Sequence, residues 1–134
     1  MNTFRIVLDT NILVSALLSP EGNSAKIYKM FLTGRLSLVY SNEIFEEYQD
    51  VLFRPRIGIP ADDAEIVLAA VWQYGKKIMP LSSANTMIDE DDRIFYDTAK
   101  NADAFLITGN KRHYPQDSFI FTPAEFIEYE ITLK

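Results

Sequence analysis

Apolar positions along the chain alternate between a strand-like and a helix-like period. Phe4-Arg5-Ile6-Val7-Leu8 is a short run rich in aliphatic and β-branched residues, the pattern of a buried strand. Asp9-Thr10-Asn11 then offers capping side chains, with Asn11 closest to a helix that fits Ile12 to Leu18. Ser19-Pro20-Glu21-Gly22-Asn23 is turn chemistry, and a second helix from Ser24 to Phe31 is closed by Gly34. Leu36 to Tyr40 predicts a second strand, followed by Ser41-Asn42 as the cap of a helix reaching Phe53. Two prolines bound a loop from Arg54 to Pro60. Ile66, Val67, Ala70 and Val71 then recur at helical spacing within Asp62 to Tyr74. Lys77-Ile78-Met79 predicts a short strand, Ser82 to Thr86 a loop, and Asp91 to Asn101 a helix. Two more strands are expected at Ala104 to Thr108 and Phe119 to Phe121. Thr122-Pro123-Ala124-Glu125 is a helix start, with Thr as cap, Pro at the first helical position and Glu at the capping-box position.

Strands separated by helices predict an α/β fold with a central parallel sheet, helices on both faces and right-handed crossovers. No repeat or linker divides residues 1–134, so one domain is expected. In such sheets ligands bind outside the carboxyl ends of the strands, so the residues that follow each strand are the candidates for chemistry.

Asp9 directly follows the first strand; it either caps the next helix or projects at the functional edge. Glu47 is three residues from Ile44 and four from Val51, so it borders the apolar stripe of its helix, while Glu43, Glu46 and Asp50 turn toward water. Asp89-Glu90-Asp91-Asp92 crowds a helix N-terminus, where the helix dipole favours acids, but four exceed what capping needs. Asp92 shares a face with Phe95, Tyr96 and Ala99 and is the member expected to be drawn inward. Thr108-Gly109-Asn110 follows a later strand, as a turn or as oxygen ligands near Asp9. Lys111, Arg112 and His113 come next and either hold phosphate or form a solvated basic turn; Arg54 and Arg56 carry the same ambiguity.

Composition narrows the chemistry. The chain has no cysteine and one histidine, which disfavours zinc, whereas Mg²⁺ and Mn²⁺ prefer carboxylate and water oxygens. A formal charge of −6 argues against a passive nucleic-acid binder but not against a nuclease whose acids are offset by cations. The apolar stretch Phe4 to Leu18 is broken by Asp9 and Asn11, too short for the roughly 20 residues of a membrane span and unlike a secretory signal. A cytoplasmic location without membrane association is therefore expected.

Val7-Leu8-Asp9-Thr10-Asn11-Ile12-Leu13-Val14-Ser15-Ala16 resembles the opening of PIN-domain proteins. Ser41 to Tyr48 resembles their second motif, Asp91 to Ala99 the third, and Ala102 to Lys111 the last. Order and spacing agree over essentially the whole chain, and the group it is most similar to is the VapC toxins of toxin–antitoxin pairs. The resemblance implies a three-layer α/β/α fold and a Mg²⁺- or Mn²⁺-dependent endoribonuclease, often dimeric and neutralised by a small antitoxin. Carried over by position, it implies Asp9, Glu47 and Asp92 as catalytic metal ligands. The fourth family position, commonly Asp, is Asn110, which removes a charge and bears on a second metal. Asn11, Thr108, Lys111 and Arg112 are the candidate substrate contacts.

Two rival readings share part of this pattern. Haloacid-dehalogenase-like phosphatases also place a nucleophilic Asp after the first strand, but carry a second Asp where this chain has Asn11. A catalytically degenerate PIN domain serving as a protein-binding module would account for Asn110.

Overall fold

The computed structural model describes residues 3–133. Strand β1 (Phe4–Leu8) is followed by helices α1 (Thr10–Leu18) and α2 (Asn23–Leu32), then β2 (Leu36–Tyr40). Helices α3 (Asn42–Leu52) and α4 (Ala61–Tyr74) lead to β3 (Lys76–Lys77). Helix α5 (Arg93–Ala102) precedes β4 (Phe105–Ile107), and β5 (Ile120–Phe121) is followed by α6 (Pro123–Thr132). All strand pairs are parallel, in the order β3-β2-β1-β4-β5, and helices flank the sheet on both faces. This is the three-layer arrangement that the alternating pattern predicts.

Burial explains the strand sequences. Ile6, Val7 and Leu8 of β1 are fully buried although successive side chains point to opposite faces, as a centre strand covered on both sides requires. On one face Phe4 and Phe105 pack edge-on at 5.6 Å, and Phe121 and Tyr129 lie 5.2 Å apart, joining the sheet to α6. Helix α5 lies across β1, β2 and β4, and its Phe95 stacks with Tyr48 of α3.

Several local signals act as expected. Ser41 caps α3 by accepting from the Ile44 N–H at 3.2 Å, and Thr122 and Glu125 form both arms of the capping box on α6. Gly34, with φ +81°, closes α2: its N–H donates to the Phe31 carbonyl while the Arg35 N–H reaches Met30.

Strands β4 and β5 are each shorter than expected and Pro55–Ile57 winds one 3₁₀ turn within the expected loop; three further boundaries differ for identifiable local reasons. Helix α1 begins at Thr10 and is capped by Asp9, whose side chain accepts from the Asn11 N–H; Asn11 lies inside the first turn, exposed. Strand β3 is Lys76–Lys77 rather than Lys77 to Met79, although the Ile78 N–H still reaches the Tyr40 carbonyl. Pro80, which cannot donate and restricts Met79 before it, ends the pairing. Helix α5 starts at Arg93, because Glu90–Asp92 winds as one tighter 3₁₀ turn capped by Asp89. Among the described residues no helix is long and apolar enough to cross a membrane.

Candidate active site

The chain winds from β1 through β2 to β3 on one side of the sheet, then returns to place β4 against the other edge of β1. Winding therefore reverses between β1 and β4, where the diverging connections leave a crevice at the carboxyl ends. Asp9 and Thr108 are the first residues beyond those two ends, and the Asp9 N–H donates to the Ile107 carbonyl at 3.0 Å, which fixes where the crevice opens.

Asp9 is 8% exposed. Its Oδ2 accepts from the Thr108 hydroxyl at 2.9 Å and from the Tyr114 hydroxyl at 3.0 Å, while Oδ1 has only a 3.4 Å contact with the Asn11 N–H. One oxygen is thus filled by two hydroxyls and the other keeps acceptor capacity for a ligand. Tyr114 is itself buried, and its phenol is held above the ordinary range first by burial and then by the charges of Asp9 and Asp92. It remains a donor at any working pH.

Glu47 is half-buried on α3 and accepts from the Thr10 hydroxyl at 3.3 Å. The next residue, Tyr48, donates to the Leu8 carbonyl at 2.6 Å and so ties α3 to the end of β1. Burial raises the Tyr48 phenol well above its usual value, with further contributions from Asp9 and Glu47. Both carboxylates therefore act on one buried hydroxyl.

Asp92 is half-buried, whereas Asp89, Glu90 and Asp91 are exposed, so it alone of the acidic run turns inward. Its carboxyl is pushed up to about 6, chiefly by desolvation, then by the negative charges of Asp9 and Asp89, with His113 opposing. His113 Nδ1 lies 3.9 Å from Asp92 Oδ2. Asn110 is half-buried in the loop after β4, its N–H donating to the Thr108 hydroxyl oxygen at 3.0 Å.

The remaining candidates separate. Lys111 pairs with Glu125 at 3.1 Å, at the start of α6, and Arg54 pairs with Asp50 on α3. Arg112 and Asn11 are exposed beside the site. Asp97, the buried acid of α5, faces Arg93 at 3.9 Å.

Residues 5–112 match the family model of the PIN domain. The chain belongs to the PIN-domain family. It is 27% identical over 110 residues to an uncharacterized protein of Methanocaldococcus jannaschii, an alignment covering 80% of this chain and 71% of that protein. One chain of the VapBC2 complex of Rickettsia felis, solved bound to a DNA fragment from its promoter, shares the fold with a TM-score of 0.57. The identity there is 15%, over 89% of this chain and 97% of that one.

The oxygen-only donors of this PIN domain suit a hard divalent cation. Desolvation and then the charge of Asp9 raise the Asp92 carboxyl, a cost that a cation or proton relieves. Among the described residues no group of three or more His, Cys, Asp or Glu is gathered closely enough to hold a metal by itself. Mg²⁺ does not require one, since it is commonly held by one or two carboxylates with water and substrate phosphate completing the shell. The structure brings Asp9, Asp92, Thr108 and Asn110 to one crevice, with Glu47 at its α3 side. Tyr114, Tyr48 and Thr10 were not identifiable as parts of this site from sequence. Tyr48 falls within an apolar stripe, and Tyr114 sits in a loop with no period to mark it.

Proposed function

We propose that the chain is a Mg²⁺- or Mn²⁺-dependent endoribonuclease and the toxin of a toxin–antitoxin pair. The observation that carries this reading is the buried Asp9 carboxylate at the reversal between β1 and β4, fixed through Oδ2 by the Thr108 and Tyr114 hydroxyls, with Asp92 alone of the acidic run turned inward. PIN-domain membership and a fold shared with a chain of the VapBC2 complex support it. Asp9 and Asp92 would hold the cation, with Glu47 at the α3 side and water and phosphate completing the shell; when bound, the cation supplies Lewis-acid stabilisation of phosphate charge and acidifies water. Thr108 and Tyr114 fix Asp9 with its Oδ1 available. Asn110 offers a neutral amide in place of a fourth carboxylate, which favours one tightly bound cation over two. Asn11, exposed beside the site, borders the path of the RNA backbone, whereas Thr108, expected from sequence as a substrate contact, is fully buried and holds Asp9 instead. A small antitoxin is the expected partner, and self-association as a homodimer in the cytoplasm completes the reading.

The test is purified protein on mixed single-stranded RNAs with Mg²⁺, Mn²⁺ or chelator, beside Asp9→Asn. Internal cleavage should require the cation and fall at least about tenfold in the variant, equivalent to roughly 1.4 kcal/mol of lost transition-state stabilisation. Mn²⁺ should also raise the melting temperature of the wild type more than that of Asp9→Asn. An intact metal response without cleavage of any RNA supports the binding-module alternative. No metal response in either assay contradicts the metal-nuclease reading.

A further inference from the structure

A cleft of about 650 Å³ opens beside the acidic crevice, its walls including Ile88, Arg112, Tyr114, Pro115, Gln116 and Asp117. Both loops that form it also carry site residues. Ile88 lies four residues before Asp92, and the other wall continues directly from Asn110. Tyr114 belongs to both places: it lines the cleft while its hydroxyl holds Asp9. A ligand in the cleft therefore lies one side chain away from the carboxylate.

The lining has mixed chemistry. Ile88 is 71% exposed and Pro115 half-buried, which gives an apolar surface open to solvent. Gln116 can donate and accept at the edge of a planar heterocycle. Of the basic residues that follow Asn110, Lys111 is held by Glu125 and His113 lies against Asp92. Arg112 is exposed and has no ion partner among the described residues. Asp117 is occupied as acceptor of the Tyr96 hydroxyl at 2.6 Å.

We propose that this cleft receives the nucleotide next to the scissile phosphate of a single-stranded RNA, with Arg112 on its phosphate and Ile88 and Pro115 against its base. The assignment rests on the ribonuclease reading above and adds to it a nucleotide subsite built from Arg112, Ile88 and Pro115. A base locked in a duplex does not present its face to such a surface, whereas an unpaired one does.

The experiment measures fluorescence anisotropy of a labelled single-stranded oligoribonucleotide on Asp9→Asn protein, which is used to suppress cutting, across a range of salt. Arg112→Ala and Ile88→Asp are introduced into that background. Both positions are exposed, so circular dichroism should show the fold retained. Each change should weaken binding about fivefold or more. Arg112→Ala should also lower the logarithmic salt slope by about 0.7, the loss of one phosphate contact on a single strand. Ile66→Asp, on exposed α4, should leave affinity unchanged. Unchanged affinity and slope in both cleft variants would overturn the assignment while leaving the ribonuclease reading standing. Equal weakening on duplex RNA would overturn the base contact. Parent protein that binds no RNA under any salt condition overturns both.

Discussion

One oxygen of Asp9 caps α1 through the Asn11 N–H, and the other accepts the Thr108 and Tyr114 hydroxyls in buried surroundings. Hydrogen bonds to a charged acceptor contribute about 1.5–3 kcal/mol, more than neutral ones. Tyr114→Phe keeps the ring and deletes only the donor, so stability by urea unfolding should fall by about 1–2 kcal/mol. A variant indistinguishable from wild type would show that the hydroxyl does not hold Asp9. The capping function of Asp9 and its place in the site were both open from sequence, because the same residue type at a strand's end serves either. The structure combines them, since a carboxylate has two oxygens. Tyr114 was hidden for a different reason. Its partner is 105 residues away, a separation only the β1–β4 pairing brings together.

Among the elements, helices whose caps and apolar stripes agree were predicted within a residue or two, as for α3, where Ser41 accepts from Ile44, and α6, with its capping box. Boundaries failed where local side-chain hydrogen bonds outweigh the helical pattern. The acidic residues before α5 fit a regular helix start, yet Asp89 accepts from the Asp91 N–H and winds a tighter turn that leaves Asp92 at the cap position. Helix α4 ends at Tyr74 as expected, and the glycine that follows it has a steric reason. At Gly75 an added Cβ would lie 2.5 Å from the Val71 carbonyl oxygen and 2.9 Å from the Tyr40 ring. Its φ of −76° is open to any residue, so the limit is close approach and not backbone strain. Gly75→Ala should therefore destabilise by about 1–3 kcal/mol, as overpacking does, without altering cleavage. An unchanged melting temperature would mean that α4 and β2 separate there at little cost.

For the whole molecule, a parallel sheet that reverses its winding between β1 and β4 concentrates negative charge at one point of an already acidic chain. Without a cation, that concentration opposes folding, and Asp92 reports it. Its carboxyl is raised from 3.8 to about 6 by desolvation and by Asp9, Asp89 and Asp91, against the lowering effect of His113. A carboxyl raised in the folded state binds its proton more tightly than in the unfolded chain. Its stabilising contribution is complete below the unfolded value near 4 and is lost as pH rises through about 6. In chelator, the melting temperature should therefore fall between pH 5 and pH 7. Because His113 opposes the rise of the Asp92 carboxyl, the comparison is made in a His113→Gln background. There Asp92→Asn should abolish the fall and raise the melting temperature at pH 7 by about 2–5 °C. Asp91→Asn, at an exposed position, should reproduce neither effect. Adding Mn²⁺ should flatten the pH dependence of the Asp92-containing protein by replacing the proton with a cation. A slope that survives Asp92→Asn would place the repulsion on another group and remove Asp92 from the cation's ligands.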